Sequence, residues 1–429
     1  MENRNWKEHK FEEIMTITSS KRIFYEEYVQ SGVPFYRSKE IIDLFNRRDI
    51  QTELFISEKR FDEIKNKFGV PSKDDILLTS VGSLGIPYLV KESDRFYFKD
   101  GNLTWLKDID LNLLHPVFIY KWISSQIGRQ KLEEISIGST QAALTISGLK
   151  SIEIQLPPLP EQKAIASVLS SLDDKIDLLH QQNQTLEALA ETLFRQWFIE
   201  RRPELVEGEA KEDWEVLPLS EIAEVKNGKS FKSSDFTDNN FNSFEVVKMG
   251  HIERGGGLKL NPKKDFVSRE MDVEKWILNK GDIIMAMTDM KDNVVILGVP
   301  AMIDKDDHYV LNQRVARIYL KDNSKLISNY LLYIQLNNKD FIAELQTKAN
   351  SGVQVNLSTE AIKESEILIP PFKLQEEFGH KIIDLYSKIE INREQIQTLT
   401  HLRDTLLPKL MSGAVSLSNC GEVRVKAST

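Results

Sequence analysis

Two groups of polar residues in this sequence are suited to hydrogen bonding with nucleic acid. Arginine and lysine can reach guanine or phosphate, glutamine suits adenine, and small residues allow the backbone to approach a groove. Any one of these residues alone fits a solvated turn or a helix cap, so the prediction depends on the recurrence of the two sets. The first group is Arg37, Lys39, Thr79, Ser80, Gly82, Ser83, Ser139, Thr140 and Gln141. The second group is Lys248, Thr288, Lys291, Arg314, Ser351 and Gln354.

Residues that could perform catalysis are scarce. The segment Ile369-Pro370-Pro371-Phe372 approaches the Asn-Pro-Pro-Phe motif of amino-methyltransferases, but it lacks the asparagine that would bind a target amino group. The seven histidines do not show metal-ligand spacing, and the sequence has no complete Gly-x-x-x-x-Gly-Lys-Ser/Thr phosphate loop, because Ala223 precedes Gly228-Lys229-Ser230 where that motif needs glycine. Gly255-Gly256-Gly257 lacks a strand–helix context and is interpreted as a flexible loop. We therefore expect a chain without a catalytic site, a metal site or a cofactor of its own.

Charge and composition limit the class of protein. The net charge of −9 is the wrong sign for a DNA-binding chain, so affinity for DNA must come from local patches or from a basic partner. The single Cys420 excludes an internal disulfide and indicates a reducing compartment. The N-terminal residues lack the apolar segment of a signal peptide, and no apolar run approaches the roughly 20 residues of a membrane span. A cytoplasmic location is expected.

Two long stretches carry the seven-residue repeat of paired helices. The first seam comprises Ile165, Leu169, Leu172, Ile176, Leu179, Asn183, Leu186, Ala190, Leu193 and Trp197. The second comprises Phe378, Ile382, Leu385, Ile389, Asn392, Ile396, Leu399, Arg403, Leu406 and Leu410. Each stretch follows a diproline, and the offset is 370 − 157 = 213. Helices of this length need a partner helix, and the second stretch is the natural partner of the first.

If the two helices pair antiparallel, one asparagine in each seam predicts their register. In an antiparallel pair, facing residues have a constant sum, and placing Asn183 opposite Asn392 gives 183 + 392 = 575. The same sum sets Trp197 opposite Phe378, and Leu172 opposite Arg403 with its guanidinium reaching outward. Because any shift would leave each amide against an apolar residue, the pair is predicted to set the register.

The order and duplication of these features identify a known family. The segments Leu156-Pro157-Pro158-Leu159-Pro160-Glu161-Gln162 and Ile369-Pro370-Pro371-Phe372 begin the two helical stretches. Leu406-Leu407-Pro408-Lys409-Leu410-Met411-Ser412-Gly413 ends the second stretch. Gln141, Leu144 and Thr145 recur 213 positions later as Gln354, Leu357 and Ser358. Over nearly its whole length the chain resembles the specificity subunit of type I restriction-modification systems.

This resemblance implies a fold and a division into domains. It implies two α/β (α+β) target-recognition domains separated by a long antiparallel two-helix coiled coil, as an internal two-fold pseudo-repeat. The predicted segments are residues 1–156 and 213–369 for the recognition domains, 157–203 and 370–413 for the spacer helices, 204–212 for a linker and 414–429 for a tail.

The resemblance also implies a bacterial-defence function. Each domain would read one half of a split double-stranded DNA target. Two methyltransferase subunits and restriction/translocase subunits would join this chain, and those partners would use S-adenosylmethionine, ATP and Mg²⁺. Two alternatives stay open at this point. A stand-alone DNA methyltransferase would bind its cofactor as an isolated chain, and a coiled-coil scaffold without a DNA role would show no DNA shift even in an assembled complex.

Overall fold

The computed structural model describes residues 5–46, 50, 52–138, 142–199, 214–238, 242–259, 262–290, 294–351, 354–415 and 417. The chain forms two compact units. The first comprises residues 1–175 and 399–429, and the second comprises residues 176–398. The linker predicted at 204–212 lies outside the described residues, as does the tail apart from residues 414, 415 and 417.

The first unit contains ten strands and six short helices among its described residues. The strands are β1 (Lys7–Lys10), β2 (Thr16–Thr18), β3 (Tyr28–Val29), β4 (Val33–Tyr36), β5 (Phe55–Ile56), β6 (Ile76–Thr79), β7 (Pro87–Leu89), β8 (Tyr97–Phe98), β9 (Leu103–Lys107) and β10 (Glu153–Leu156). The helices are α1 (Phe11–Ile14), α2 (Ser38–Phe45), α3 (Glu58–Phe68), α4 (Pro116–Ser124), α5 (Gln126–Glu134) and α6 (Ile146–Lys150).

These strands form three sheets. The first is antiparallel and has the order β2-β9-β6-β7. Its interior strand β6 is an apolar run that is buried on both faces. A second sheet has the order β3-β5-β4-β8, in which β4 and β8 run parallel. Finally, β1 pairs antiparallel with β10, the strand immediately before the first long helix.

Within the described residues, the second unit contains the next thirteen strands. They are β11 (Glu215–Pro218), β12 (Ala223–Asn227), β13 (Phe236–Thr237), β14 (Ser243–Val247), β15 (Phe266–Ser268), β16 (Ile283–Ala286), β17 (Thr288–Met290), β18 (Pro300–Met302), β19 (Tyr309–Leu311), β20 (Val315–Leu320), β21 (Asn350–Ser351), β22 (Gln354–Asn356) and β23 (Glu366–Ile369). The first long helix is α7 (Leu159–Phe194), and the short helices that follow it are α8 (Leu219–Ile222), α9 (Asn329–Leu336), α10 (Lys339–Thr347) and α11 (Thr359–Lys363).

The internal plan of the second unit repeats that of the first. Its sheets are β12-β20-β16-β18, then β13-β15-β14-β19 with a parallel β14–β19 pair, and the antiparallel pair β11–β23. It adds a small antiparallel sheet, β17-β22-β21. The matching central strands β6 and β16 both follow a buried aspartate, Asp75 or Asp282, whose pKa is raised by burial.

Two long helices carry the heptad seams. The first, α7 (Leu159–Phe194), continues as a π-helical turn at Arg195–Ile199, and the second is α12 (Phe372–Met411). In the second unit they run antiparallel, because Asn183 meets Asn392 while Trp197 meets Phe378. The rings of this last pair have centroids 5.9 Å apart, which confirms the predicted layer.

Each long helix begins with a buried glutamine that fastens it to its globular region. Gln162 is fully buried, and its Oε1 accepts the N–H of His115 at 2.9 Å. Its Nε2 donates to the carbonyls of Leu113 and Pro157, at 2.8 and 2.9 Å. At 162 + 213 = 375, Gln375 makes the same three bonds, to Ile327, Lys325 and Pro370. The diproline segments are therefore structural starts of helices, as predicted.

The interpretation of the triple glycine as a flexible loop is wrong, and one candidate contact residue lies in a helix. Lys39 lies in the first turn of α2, since Glu40 accepts the N–H of Arg37 at 2.7 Å and caps a helix there. The triple glycine is a packed turn. A Cβ on Gly256 would lie 2.3 Å from Asn337 Oδ1, and one on Gly257 would lie 2.7 Å from an Arg393 nitrogen. The close approach of these side chains requires glycine and leaves no room for a free loop.

Candidate nucleic-acid interface

The loop between β6 and β7 is closed by its first residue. Thr79 is fully buried, and its hydroxyl donates to the carbonyl of Ser83 and accepts the N–H of Ile86 at 2.9 Å. Gly82 and Ser83 form the exposed tip, where Gly82 has φ 80° and a Cβ would meet no atom within 4 Å. The tip is therefore open to a ligand, whereas the Thr79 hydroxyl is occupied inside the loop.

Ser80 is anchored from three sides. Its N–H donates to the carbonyl of Asn102 at 2.8 Å, and its own carbonyl accepts the N–H of Leu144 at 2.9 Å. Its hydroxyl lies 2.6 Å from that of Thr104, and the residue is buried. Burial and internal hydrogen bonds therefore occupy the hydroxyls of Thr79 and Ser80, and the contact of these two residues with DNA stays a prediction.

The loop at 79–85 lies beside the second predicted loop of this unit. Ser139, Thr140 and Gln141 lie outside the described residues, but both flanks of that segment are described. Ile137 and Ala143 exchange two backbone hydrogen bonds, at 3.0 and 2.8 Å. Ala143 also forms a bridge with Val81. The fold thus brings the flanks of 139–141 against the β6–β7 loop.

The two predicted cations of the first unit differ in availability. Arg37 is 30% exposed, and its guanidinium lies 2.9 Å from the Glu40 carboxylate and 3.7 Å from that of Glu53. The hydrogen bond that its guanidinium donates to the Glu40 carboxylate raises the pKa of Arg37. Lys39 is exposed. Lys39 is therefore the more accessible cation, and Arg37 would have to exchange a carboxylate for a phosphate or base.

The second unit builds the matching place from β17 and β22. Thr288 pairs with Asn356 in this sheet, and its hydroxyl donates to the Asn356 side-chain oxygen at 3.1 Å. Thr288 is buried, so its hydroxyl is occupied inside the sheet, and its contact with DNA stays a prediction. Arg314, by contrast, is exposed. Lys248 is 35% exposed and pairs with Asp265 at 2.7 Å.

Three backbone positions meet in the same way in both units. In the first, Ser80 binds Asn102 and Leu144 through its N–H and carbonyl. In the second, Met287 binds Arg314 at 3.0 Å and Leu357 at 2.8 Å through the same two groups. In the first unit the fold therefore brings together the β6–β7 loop, the start of β9 and the segment before α6. In the second unit it brings together the β16–β18 loop, the start of β20 and the segment before α11. Lys291 lies outside the described residues, and only the backbone strands of Ser351 and Gln354 are placed.

Sequence reasoning missed Asp289 and Asn102. Asp289 is buried, and its carboxylate accepts N–H groups from Met290, Val295, Ile296 and Leu297 at 2.8, 2.6, 2.6 and 3.2 Å. A lone aspartate in a polar loop gives no sequence signal for this role. Asn102 does have a sequence signal, because it stands 314 − 102 = 212 positions before the candidate residue Arg314, close to the repeat offset of 213.

Metal and membrane features were searched over the described part of the chain. It contains no group of three or more histidine, cysteine, aspartate or glutamate residues able to hold a metal ion. In the same residues, no helix has both the length and the apolar character needed to cross a bilayer.

The sequence pattern of the type I restriction modification DNA specificity domain matches residues 3–188 and, a second time, residues 211–401. The chain belongs to this family. It is 26% identical over 406 residues to the type I restriction enzyme MjaIX specificity subunit of Methanocaldococcus jannaschii, covering 90% of this chain and 88% of the relative. It is 31% identical over 154 residues to the putative specificity subunit S.HindORF215P of Haemophilus influenzae, covering 36% of each.

A solved structure supports the fold. The crystal structure of a type I restriction-modification S subunit from M. genitalium superposes with a TM-score of 0.58, over 96% of this chain and 97% of that one, at 20% identity. The two family matches correspond to the internal repeat found in the sequence, and the mixed α/β composition of both globular regions is confirmed.

Proposed function

We propose that this chain is the non-catalytic DNA-recognition subunit of a type I restriction-modification complex and that each globular region reads one half of a split target. The observation that carries this proposal is the duplicated cluster of loops, in which Ser80 and Met287 make equivalent backbone bonds. Membership of the specificity-domain family supports it. Exposed Lys39 and Arg314 supply charge for phosphate or guanine.

The long helices would act as the spacer between half-sites, as an antiparallel coiled coil. Asn392 Nδ2 donates to Asn183 Oδ1 at 2.8 Å, so the predicted contact between the two asparagines is confirmed. Its role in setting the register stays a prediction. At the predicted Leu172 layer, the Arg403 guanidinium reaches Asp173 at 2.9 Å. A rigid pair of this kind would set the number of base pairs between the half-sites.

The chemistry of the complex would reside in its partners. Two methyltransferase subunits would use S-adenosylmethionine, and restriction/translocase subunits would use ATP and Mg²⁺, in the cytoplasm. Of the two alternatives, a stand-alone methyltransferase lacks support, because Pro370 and Pro371 serve to begin α12 beside Gln375. A scaffold without a DNA role does not account for two matches to a DNA specificity domain.

Methylome sequencing tests the proposal. Cells carrying this subunit and its methyltransferase should show methylation at a bipartite motif. Exchange of residues 1–150 for another such domain should change one half of that motif only. A simultaneous change in both halves, or in neither, would contradict the assignment of one half-site to each region.

The negative charge predicts a second result. Lys and Arg contacts to phosphates supply most non-specific DNA affinity, and the net charge of −9 opposes them. Addition of methyltransferase subunits should therefore tighten DNA binding by at least about tenfold, roughly 1.4 kcal/mol. Tight binding by the isolated chain that does not respond to salt would count against this.

A further inference from the structure

We propose that the outer edge of β10 in the first unit is a docking site for an extended peptide, and that its occupant is the chain's own segment Glu422–Lys426. The segment would add to β10 as a third strand. This inference does not depend on DNA recognition, since it concerns an open sheet edge and a groove beside it.

The edge of β10 presents unused backbone groups. Phe11 N donates to Ile152 O at 3.0 Å, so in this antiparallel pair the backbone groups of Ile154 and Leu156 face β1. Those of Glu153 and Gln155 alternate with them and face away. The described residues supply no third strand on that side. Such an edge is a template for strand addition unless something covers it.

The equivalent edge in the second unit is closed by a side chain. Leu368 stands at 155 + 213 = 368 and likewise faces away from its partner strand. Gln335 Nε2 donates to the Leu368 carbonyl, and Gln335 Oε1 accepts the Leu368 N–H, both at 3.0 Å. This amide reproduces the two bonds of a neighbouring strand. At 335 − 213 = 122 the first unit has Trp122, which has no amide to offer.

A groove of about 440 Å³ lies where the first unit lacks that amide. Its lining includes Trp6, Trp122, Ile127 and Met411 together with β10. Aromatic and aliphatic walls beside an open strand edge are the two features used by domains that bind peptides by strand addition: the main chain supplies hydrogen bonds, and the walls receive alternate side chains.

The position and pattern of the tail favour it as the occupant. Met411 ends α12 and lines the groove, and Leu417 packs on the same apolar core as Trp122 and Ile154. Glu422 stands five positions after Leu417, a reach of roughly 17 Å.

The residue pattern of the tail also matches that of β10. In β10, buried Ile154 alternates with exposed Glu153 and Gln155. The tail segment Val423-Arg424-Val425-Lys426 alternates in the same way. Its valines would continue the apolar face, and its cations would lie on the face that carries Glu153.

Residue-resolved hydrogen exchange on the full chain tests the proposal. The Glu153 and Gln155 amides should exchange at least about tenfold faster after deletion of residues 418–429. The Leu368 amide serves as the internal control, because Gln335 covers it. Its exchange should be unchanged by the deletion and should accelerate in Gln335→Ala. Equal exchange of Glu153 and Gln155 with and without the tail would overturn the proposal.

Point variants separate docking from folding. Val423→Asp with Val425→Asp alters only the tail and should reproduce the effect of the deletion. Gln155→Pro removes an outward N–H without removing a backbone bond to β1, and it should also abolish docking; Gln155→Ala is its control, because it removes only the exposed side-chain bond to Glu8. Protection that rises with protein concentration would assign the groove to a second copy of the chain and would overturn the intramolecular assignment.

The single cysteine supplies an independent test. Cys420 can be labelled with a benzophenone maleimide and irradiated, and the captured peptide identified by mass spectrometry. The proposal expects capture of peptides that contain Trp6, Lys131 or Ser412, with loss of capture in the Val423→Asp, Val425→Asp variant. Capture distributed over other surfaces, or equal capture in that variant, would reject the assignment.

Discussion

The β6–β7 loop of the first unit and the β16–β18 loop of the second occupy the same place in the same fold, but they are fastened differently. Both are closed at the base by a glycine N–H, from Gly85 to Thr79 at 2.8 Å and from Gly298 to Ala286 at 2.9 Å. The second loop is longer by (298 − 286) − (85 − 79) = 6 residues. A threonine hydroxyl holds the first, and the Asp289 carboxylate holds the second.

This difference separates the constant part of each globular region from its variable part. The backbone bonds of Ser80 and Met287 are equivalent, as are the glutamine contacts at the start of each long helix. The loop length and the residue that fastens it are not. We call these constant contacts, made by Ser80, Met287, Gln162 and Gln375, the frame. A change of half-site specificity could therefore occur in the loops while the frame stays the same.

Replacement of Asp289 should produce the largest difference between the two units. Asp289→Ala leaves four backbone N–H groups without their acceptor, and we expect a loss of about 3 kcal/mol in the stability of the second unit. Recognition of the second half-site should relax, while recognition of the first is retained. Urea unfolding and methylome sequencing measure the two outcomes.

The matched control is Thr79→Val in the first unit, which removes one hydroxyl and keeps a side chain of similar volume. It should cost about 1 kcal/mol and affect the first half-site only. Asp289→Asn should be intermediate, because one amide oxygen can still accept from the three N–H groups of Val295, Ile296 and Leu297. If both half-sites respond to either variant, the loops are not independent readers.

The frame was more predictable from the sequence than the loops. The heptad seams repeat one pattern many times, so the contact between Asn183 and Asn392 followed from a sum. Small polar residues after a strand have the same composition whether they face water or the core. Ser80 and Thr288 are buried, and their hydroxyls bond to Thr104 and Asn356, which are distant in sequence. The start of α2 carries a local signal in Glu40, which stands three residues after Arg37, where a glutamate can cap the first turn of a helix.

The two helix-starting glutamines should respond alike. Gln162→Ala and Gln375→Ala each remove three hydrogen bonds at a buried site, and each should cost about 2.5 kcal/mol. Differential scanning calorimetry of both variants measures this. The comparison of a constant frame with variable loops fails if one substitution is tolerated and the other is not.

The asparagine pair should show opposite single and double effects. Asn183→Leu alone leaves the buried Asn392 amide without its partner and should cost about 2 kcal/mol. Asn392 Oδ1 already lacks a partner among the described residues, so Asn183→Leu with Asn392→Leu should restore or exceed the original stability. Chemical denaturation measures both, and the spacing of methylated half-sites reports on register. A double variant as unstable as the single would show that the amides contribute net stability.

The smallest expected effect concerns one position that the repeat fills with different chemistry. Asp173 of α7 corresponds to Tyr386 of α12, since 173 + 213 = 386. Asp173 forms ion pairs with Lys121 and Arg403. In the second unit, Tyr386 instead stacks on Tyr330, with ring centroids 5.0 Å apart. At this position, only the ion-paired version should add sensitivity to acid.

Burial alone would raise the pKa of Asp173, but Lys121 and Arg403 outweigh burial and hold that pKa below its ordinary value. A carboxyl whose pKa is depressed by folding contributes stability above its unfolded pKa, near 4, and loses that contribution as the pH falls through the folded pKa. Asp173→Asn should therefore cost about 1 kcal/mol at pH 7, with the difference from the original chain shrinking below about pH 4. Hydrogen exchange of α4 and α9, measured at pH 7 and below about pH 4, reports the stability of the first and the second unit separately. Tyr386→Phe is the control, and its effect should be the same at both pH values because the tyrosine stays neutral throughout this range.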